Sequence, residues 1–531
     1  MDFLVVYDFS MNIADKNEAQ KIDYKASKDF KMLPITRMEV AGYKSFEIIM
    51  EKLNPKKVLL IIGFGNNGGD GLVIAKYLHL RNISVELFFI KSNKKKSFEY
   101  IKNQEIIKKL KIKILQKLDN KKLNKFDLII DGIFGIGLNR KILKNTKTYN
   151  LINLINKSKT KVCSLDIPSG QCATSGHELG ISIISDITIT YDILKVGLVN
   201  HPGFKNSRKI YIVNLGTPES LMKDTKNFYL NDIFFKNLIL KRDNSSNKGS
   251  HGHVLIIGGS KNMPGAVTIA GLSAYKAGCG LVTICVPKSI SDVVKKNLPE
   301  AIIIEIPNYK DNSTFDDKNF INILKNKISK SPSSIIIGPG MSSQVRFKNL
   351  IKNILLEFNS KIILDADGLN SFGEDIKTLK KYKREIIITP HPGEMSSLLN
   401  SKISEIQNNR EIISRNFSKK NNLITVLKGF RTVIALPNGN VYINSSGNNG
   451  MATGGMGDSL AGIIGSLSAQ GYKIENAAIL GTYLHGRTGD AISQKNIKRG
   501  ILARDIISNL SKTFEVIKKG DSQRPDFFIN E

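Results

Sequence analysis

The sequence has no zinc-binding or disulfide framework. Its four cysteines, Cys163, Cys172, Cys279 and Cys285, show neither CxxC nor Cys/His spacing. That excludes a structural zinc and fits small core or surface residues in a reducing compartment. Long apolar runs are missing too, and no stretch approaches a membrane span. The apolar patch at residues 1–8 is too short, and too closely flanked by acids, for a signal peptide. Acids are scarce, with 47 Asp and Glu against 78 Lys and Arg, which gives a formal net charge of +31. A surplus of that size raises a nucleic-acid or anionic-membrane partner. Aromatic residues amount to only 7% and are not interleaved with the lysines, as a base-stacking platform requires. The lysines are spread along the chain beside Asn and Ile, so the charge reads as a biased composition on ordinary surfaces. Such a surface still attracts anionic substrates. The expectation is a cytoplasmic protein with neither nucleic acid nor membrane as partner.

What is present is ample apolar material: 41% hydrophobic residues over 531 positions, enough for two or more domains. The densest signal is GNNGMATGGMGD at residues 447–458. Five glycines in twelve positions let backbone N–H groups approach an anion closely. The apolar spacing that follows from Ser459 predicts a helix whose positive end faces the loop's ligand. Asp458 at the junction reads either as a helix cap or as a base beside an anion hole. The second reading suits phosphoryl transfer.

In the first half, the strand-like KVLLII at residues 57–62 runs into GFGNNGGDG and a helical pattern from Leu72 to His79. Gly63, Gly65 and Gly68 satisfy GxGxxG, and Glu86 lies near the place of a ribose-binding acid, so a nicotinamide-dependent oxidoreductase competes. The paired asparagines and the added Gly-Asp-Gly point elsewhere, because they offer oxygens to a cation or a hydroxylated ligand. Two further strand ends carry Asp131, before GIFGIGLNR, and Asp166, before IPSG. In a parallel sheet these loops converge at the carboxyl ends of strands.

GNNGGDG, the Asp131 loop, LDIPSG, YDILKVGL at 191–198 and RMEVAG at 37–42 resemble the NAD(P)H-hydrate epimerase domain, in order over roughly residues 10–216. The resemblance implies a Rossmann-like α/β/α sandwich that interconverts the R and S epimers of hydrated NADH or NADPH. It implies substrate contacts from Asn66, Asn67, Gly68, Gly69 and Asp70, from Gly135, Ile136, Gly137, Leu138, Asn139, Arg140 and Lys141, and from Asp166. It also implies a potassium ion held by Asn67, Asp131 and Ser169, with Asp131 as a possible acid or base. Ile136 departs from the family's usual Thr, which removes a hydroxyl.

Residues 217–240 lack strong periodicity and read as a linker between domains at 1–216 and 241–531. Beyond it, strand signals alternate with helices. Their downstream loops carry GPG at 338–340, DADGLN at 365–370 and TPHPGEM at 389–395, and a hairpin turns at Asn438-Gly439. Asp365 and Asp367 need not act as a pair, since one can orient a magnesium or a water while the other only caps. His391, between two prolines, is held rigidly and is as readily structural as functional.

GHVLIIGGS, GPG, DADGLN, TPHPGEM, VLKG and GNNGMATGGMGD resemble the ADP- or ATP-dependent NAD(P)H-hydrate dehydratase, a ribokinase-like α/β fold, over roughly residues 240–515. The resemblance implies that a nucleotide, with Mg2+, phosphorylates the hydrate hydroxyl and that phosphate then leaves. It implies Asp458 as the base and the Gly454, Gly455 and Gly457 amides as the anion hole. Nucleotide contacts follow from Lys428, Gly429, Phe430, Arg431, Thr432 and Gly457; substrate contacts follow from Ala266, Gly340, His391 and Asp458. Family members often assemble as homo-oligomers. Asn449, Met456 and Met341-Ser342 depart from the usual pattern, Met456 most seriously because a hydroxyl inside the anion hole would be lost. The expectation is therefore a bifunctional enzyme that repairs hydrated nicotinamide cofactors. A ribokinase-like kinase of small alcohols is the rival within enzymes, and an RNA-binding scaffold the rival outside them.

Overall fold

The computed structural model describes residues 12–92, 95–236, 238–306, 317–328, 330–342, 347–494, 499–519 and 527–530. The patch at 1–8 lies outside them. The chain divides into two compact units, Met1–Asn227 with Gln523–Glu531, and Phe228–Ser522.

The first unit is built on β1 (Lys57–Ile62), β2 (Ser84–Phe89), β3 (Lys113–Ile114), β4 (Leu128–Gly132), β5 (Lys161–Leu165), β6 (Ile187–Tyr191) and β7 (Lys209–Val213). Their order is β7-β6-β5-β4-β1-β2-β3, with each neighbouring pair parallel. Phe527–Asn530 adds a parallel strand beside β7. Val58–Ile62 is apolar throughout because both faces of the strand are covered. Val58, Leu60 and Ile62 pack with the helices Pro34–Lys52 and Asn66–Leu80 on one side. Leu59 and Ile61 pack with Leu151, Ile152 and Ile155 of the helix Lys147–Lys157 on the other. Burying each such side chain contributes about 1.5–3 kcal/mol. The strand order reverses between β1 and β4, which opens a crevice at their carboxyl ends.

The helix after β1 begins at Asn66 rather than at Leu72, so NNGGDG forms its first turns instead of a loop. The glycines serve close packing there. A Cβ at Gly68 would collide with the Gly63 carbonyl, and one at Gly69 would lie 2.5 Å from Met38 Cε.

The second unit contains β8 (His253–Ile257), β9 (Leu281–Pro287), β10 (Ile302–Ile306), β11 (Ser334–Ile337), β12 (Lys361–Leu364), β13 (Ile386–Ile388), β14 (Ile424–Leu427), β15 (Val433–Ala435) and β16 (Val441–Asn444). They run in the order β16-β15-β14-β13-β12-β11-β8-β9-β10. The sheet is parallel from β10 to β14, and the β15–β16 hairpin closes it antiparallel. Alternate residues of the central strands pack against Leu350, Ile351 and Ile354 on one face. The helix Met456–Ala469 crosses the other face, where a Cβ at Gly465 would lie 2.5 Å from Ile336. The order reverses here too, between β8 and β11.

Among the described residues of 217–240, expected as a linker, Glu219–Met222 and Asp232–Lys236 are helical and Asn227–Leu230 is a strand. Leu221 and Met222 join the apolar cluster of Ala14, Ala19 and Ile22 in the first unit. In the second, the Phe235 ring stacks on Tyr483 with centroids 4.5 Å apart. These anchors are short and scattered, so they leave no periodic pattern in the sequence.

Candidate functional sites

In the first unit a cavity of about 670 Å³ opens at the crevice between β1 and β4. Asn66, Asn67 and Asp70 from the helix, residues 135–140 from the β4 loop, and Asp166 after β5 all line it. Among the described residues, Gly68, Gly69 and Lys141 are not on that wall. Glu86 takes no part either, because it is nearly buried between Lys57 at 3.7 Å and Lys113 at 3.3 Å.

Asp131 is fully buried and also lies off the lining among the described residues. Its carboxylate accepts hydrogen bonds from Ser164 Oγ (2.9 Å), Ser169 N (2.9 Å), Ser169 Oγ (2.6 Å) and Ile133 N (3.2 Å). Burial pushes its pKa up, and these hydrogen bonds oppose the shift. Four donors fill the acceptor sites of a carboxylate. The expectation that Asp131 moves the proton at the reacting carbon therefore gives way, in this geometry, to a role tying the β4 and β5 loops together. Ser169 extends that tie, its Oγ accepting from Phe134 N at 2.8 Å.

Asn67 is the opposite case. It is nearly buried, yet neither its Oδ1 nor its Nδ2 has a hydrogen-bond partner among the described residues. An amide left so costs about 1–3 kcal/mol, which a ligand at this place recovers. Asp70 is nearly buried on the same wall, and burial, with the charges of Asp166 and Asp23, raises its carboxyl well above the usual range.

Sequence reasoning gave no role to two basic residues of the cavity. Arg37 donates to Asp192 Oδ2 (2.9 Å), Asp23 Oδ1 (2.7 Å) and Thr217 Oγ1 (2.6 Å). Lys195 Nζ lies 2.8 Å from Asp166 Oδ1. Both sit in the quoted RMEVAG and YDILKVGL segments, and a buried charge in such a segment was the available signal. The Ile136 departure is benign in this geometry. Its backbone N–H donates to Asp166 Oδ2 at 3.1 Å, and its side chain packs against the Ile193 and Met222 cluster.

In the second unit the loops after β8, β11, β12, β13 and β14 converge on the start of the helix Met456–Ala469. That helix begins three residues before the expected Ser459, with Gly455 as its cap at φ 87° and Asp458 in its first turn. First-turn N–H groups have no intrahelical acceptor, so they are available to an anion. A Cβ at Gly457 would lie 3.5 Å from Lys428 Nζ and 3.8 Å from Asp365 Oδ2. Lys428 Nζ is 2.7 Å from Asp365 Oδ1 and 3.7 Å from Glu394 Oε2. Burial and the Asp365 charge push the Asp458 carboxyl up to about 7, against the opposing pull of Lys428.

Asp365 and Asp367 part company because the strand ends at Leu364 and Asp367 opens a helical turn. Asp365 accepts from Thr389 Oγ1 at 2.6 Å inside the site. Asp367 accepts from Ser342 N at 2.8 Å and holds the loop after GPG. Gly340 and Ala266 are in contact, since a Cβ on Gly340 would lie 2.8 Å from the Ala266 Cβ. His391 caps the helix Pro392–Leu399: its Nδ1 accepts from Gly393 N (3.0 Å), while its half-exposed ring faces Glu394 Oε1 at 3.3 Å.

The turn at 428–432, expected to meet the nucleotide, is shaped by a residue that sequence reasoning missed. Buried Arg410 donates to the carbonyls of Leu427 (2.9 Å), Lys428 (3.2 Å) and Phe430 (2.7 Å). Phe430 is exposed, Thr432 Oγ1 donates to Gly429 O (2.8 Å), and Arg431 turns away to Tyr229 Oη (2.6 Å) and Ser445 O (2.8 Å). Met456 points its side chain into the apolar cluster of Ile492, Ile501 and Ile506.

Residues 35–197 match the family model described as YjeF-related protein N-terminus, and residues 254–512 match that of NAD(P)H-hydrate dehydratase. The chain is 33% identical over 514 residues to a bifunctional NAD(P)H-hydrate repair enzyme of Moorella thermoacetica, covering 94% of this chain and 96% of the relative. It is 32% identical over 517 residues to the enzyme of that name from Dictyoglomus turgidum, covering 96% and 99%. A solved ADP/ATP-dependent NAD(P)H-hydrate dehydratase from Bacillus subtilis, co-crystallised with ATP/Mg2+, superposes with a TM-score of 0.48 at 26% identity, covering 54% of this chain and 98% of that one.

Proposed function

The chain belongs to the family of bifunctional NAD(P)H-hydrate repair enzymes, an epimerase domain followed by a dehydratase domain, and on that premise we propose how its own residues divide the work. The first site equilibrates the R and S hydrates. The second removes water from the S form at the expense of ADP or ATP.

In the second site Asp458 takes the proton of the hydrate hydroxyl as its oxygen attacks the terminal phosphorus of the nucleotide. The first-turn amides, with Gly457 among them, meet the negative charge of the phosphoryl group. Phosphate then leaves with the carbon–oxygen bonding pair, the ring nitrogen supplies electrons, and loss of a ring proton restores the dihydronicotinamide. Hydroxide is a poor leaving group and phosphate a good one, which is what the nucleotide provides. Mg2+ entering with the nucleotide would supply positive charge against its phosphates. Asp365 and Glu394 face Lys428, so they hold an ammonium at the phosphoryl position rather than a free metal site.

The observation that carries this reading is the meeting of Asp458, Lys428 and the Gly457 turn at one helix start. Asp458→Asn tests it: dehydration of the S hydrate should fall by about 10²–10⁴-fold, the usual worth of a general base, with epimerisation intact. A variant that still dehydrates would remove Asp458 from this role.

In the first site the unpartnered Asn67 amide would offer its oxygen to potassium, while Asp131 and Ser169, bonded to each other, hold the loops beside it. When bound, potassium supplies a fixed positive charge near the cofactor. Among the described residues no helix is long and apolar enough to cross a membrane. The cytoplasm, where the reduced cofactors accumulate, and a homo-oligomeric state complete the proposal.

A further inference from the structure

Epimerisation needs a group that moves a proton at the hydrated carbon. We propose that this group is Asp166, and that Lys195 is the residue that positions it. The inference rests on the epimerase reading of the first site.

Asp166 lines the cavity and its backbone is fixed at φ 63°, a left-handed conformation that costs a non-glycine residue energy. Both carboxylate oxygens are oriented. Oδ1 meets the Lys195 ammonium at 2.8 Å, and Oδ2 accepts from the Ile136 N–H at 3.1 Å. Lys195 is itself immobilised. Its side chain is 4% exposed, and Nζ donates to Thr190 Oγ1 at 3.0 Å and to the Tyr191 carbonyl at 2.8 Å. Among the described residues each Asp166 oxygen has a single donor, so each keeps a lone pair for a substrate hydroxyl. The buried Lys195 ammonium also gives Asp166 a fixed partner on one side. Asp131 has neither property, being saturated and off the lining.

The carbon concerned carries the hydroxyl and is bonded to the ring nitrogen. The Asp166 carboxylate takes the hydroxyl proton. The oxygen's electron pair forms the carbonyl, and the carbon–nitrogen bond breaks with its electrons leaving on nitrogen, which receives the proton from Asp166. Rotation of the open aldehyde and reversal of these steps close the ring on the other face. No reagent is consumed, and Asp166 ends as it began.

The test uses the full chain. Interconversion of separated R and S hydrates of NADH is followed by chromatography without nucleotide, in the wild type and in Asp166→Asn, Asp131→Asn, Lys195→Met, Lys195→Arg and the double variant D166N/K195M. Dehydration of the S hydrate in each preparation reports on the fold of the second unit. Expected for D166N is a fall of at least about 100-fold in kcat with KM within a few-fold. The double variant removes the unpaired buried charge that D166N leaves behind, yet it should stay equally inactive. K195M should lower kcat without raising KM, and K195R should recover most of the loss. The proposal is overturned if the double variant regains activity, because Asp166 would then serve only to balance Lys195. It is overturned equally if D166N epimerises while D131N does not. A wild type that fails to epimerise would sink the parent reading instead.

Discussion

Lys428 Nζ and Asp365 Oδ1 lie 2.7 Å apart beside the first turn that carries Asp458. The pair therefore brings a cation and a second carboxylate up against the base. Asp365 raises the Asp458 carboxyl, and Lys428 pulls it down.

The consequence is a pH profile. A base works only when ionised, so dehydration should lose about tenfold per unit as pH falls below the Asp458 value of about 7. Asp365→Asn removes the like charge and frees Lys428 to face Asp458, so the acid limb should move to lower pH. Lys428→Met should move it the other way. Initial rates with S hydrate from pH 5 to 9 check both signs.

The glycines of NNGGDG make a second, sharper contrast. Ala at position 68 meets a backbone carbonyl, which cannot withdraw, whereas Ala at 69 meets only the mobile end of Met38. Gly68→Ala should abolish epimerisation while dehydration survives. Gly69→Ala should change stability by no more than about 1 kcal/mol, since helix propensity offsets mild crowding. Thermal melts and paired assays of the two activities separate these outcomes.

These glycines also show where the sequence was legible and where it was not. The parallel strands, the two crevices and the groups of loops at their carboxyl ends follow from apolar runs ending in Gly and Asp. The start of the Asn66–Leu80 helix does not, because glycine's poor helix propensity is overridden by close packing that only the assembled unit creates. Roles fared less evenly than positions. Asp131 and Asp166 look alike as strand-end acids, and only the four donors around one and the single lysine beside the other tell them apart. Arg410 had no motif to announce it, since it acts on backbone carbonyls that any sequence supplies.

Asn67 gives a prediction about potassium. If its amide holds the ion, thermal unfolding of the wild type should rise with KCl relative to choline chloride at equal ionic strength. Saturation to 100 times Kd is worth about 2.7 kcal/mol. Asn67→Ala should erase that difference. An equal potassium effect in the variant would assign the ion elsewhere.

Met456 looks damaging in the sequence because it replaces a hydroxyl in the anion hole. Its side chain packs instead against Ile492, Ile501 and Ile506. Met456→Thr should therefore leave dehydration within a few-fold and cost about 1–3 kcal/mol of stability in denaturant unfolding.

The central claim is that two sites on one chain act in series on hydrated nicotinamide cofactor. The most direct measurement follows dihydronicotinamide absorbance with an R/S mixture of hydrated NADH, ADP or ATP, magnesium and potassium, under conditions where spontaneous epimerisation is negligible. Complete recovery of NADH is predicted, in a fast phase for the S form and a second phase set by epimerisation. Recovery that stalls when the S form is exhausted would contradict the first site, and no recovery with either nucleotide would contradict the account as a whole.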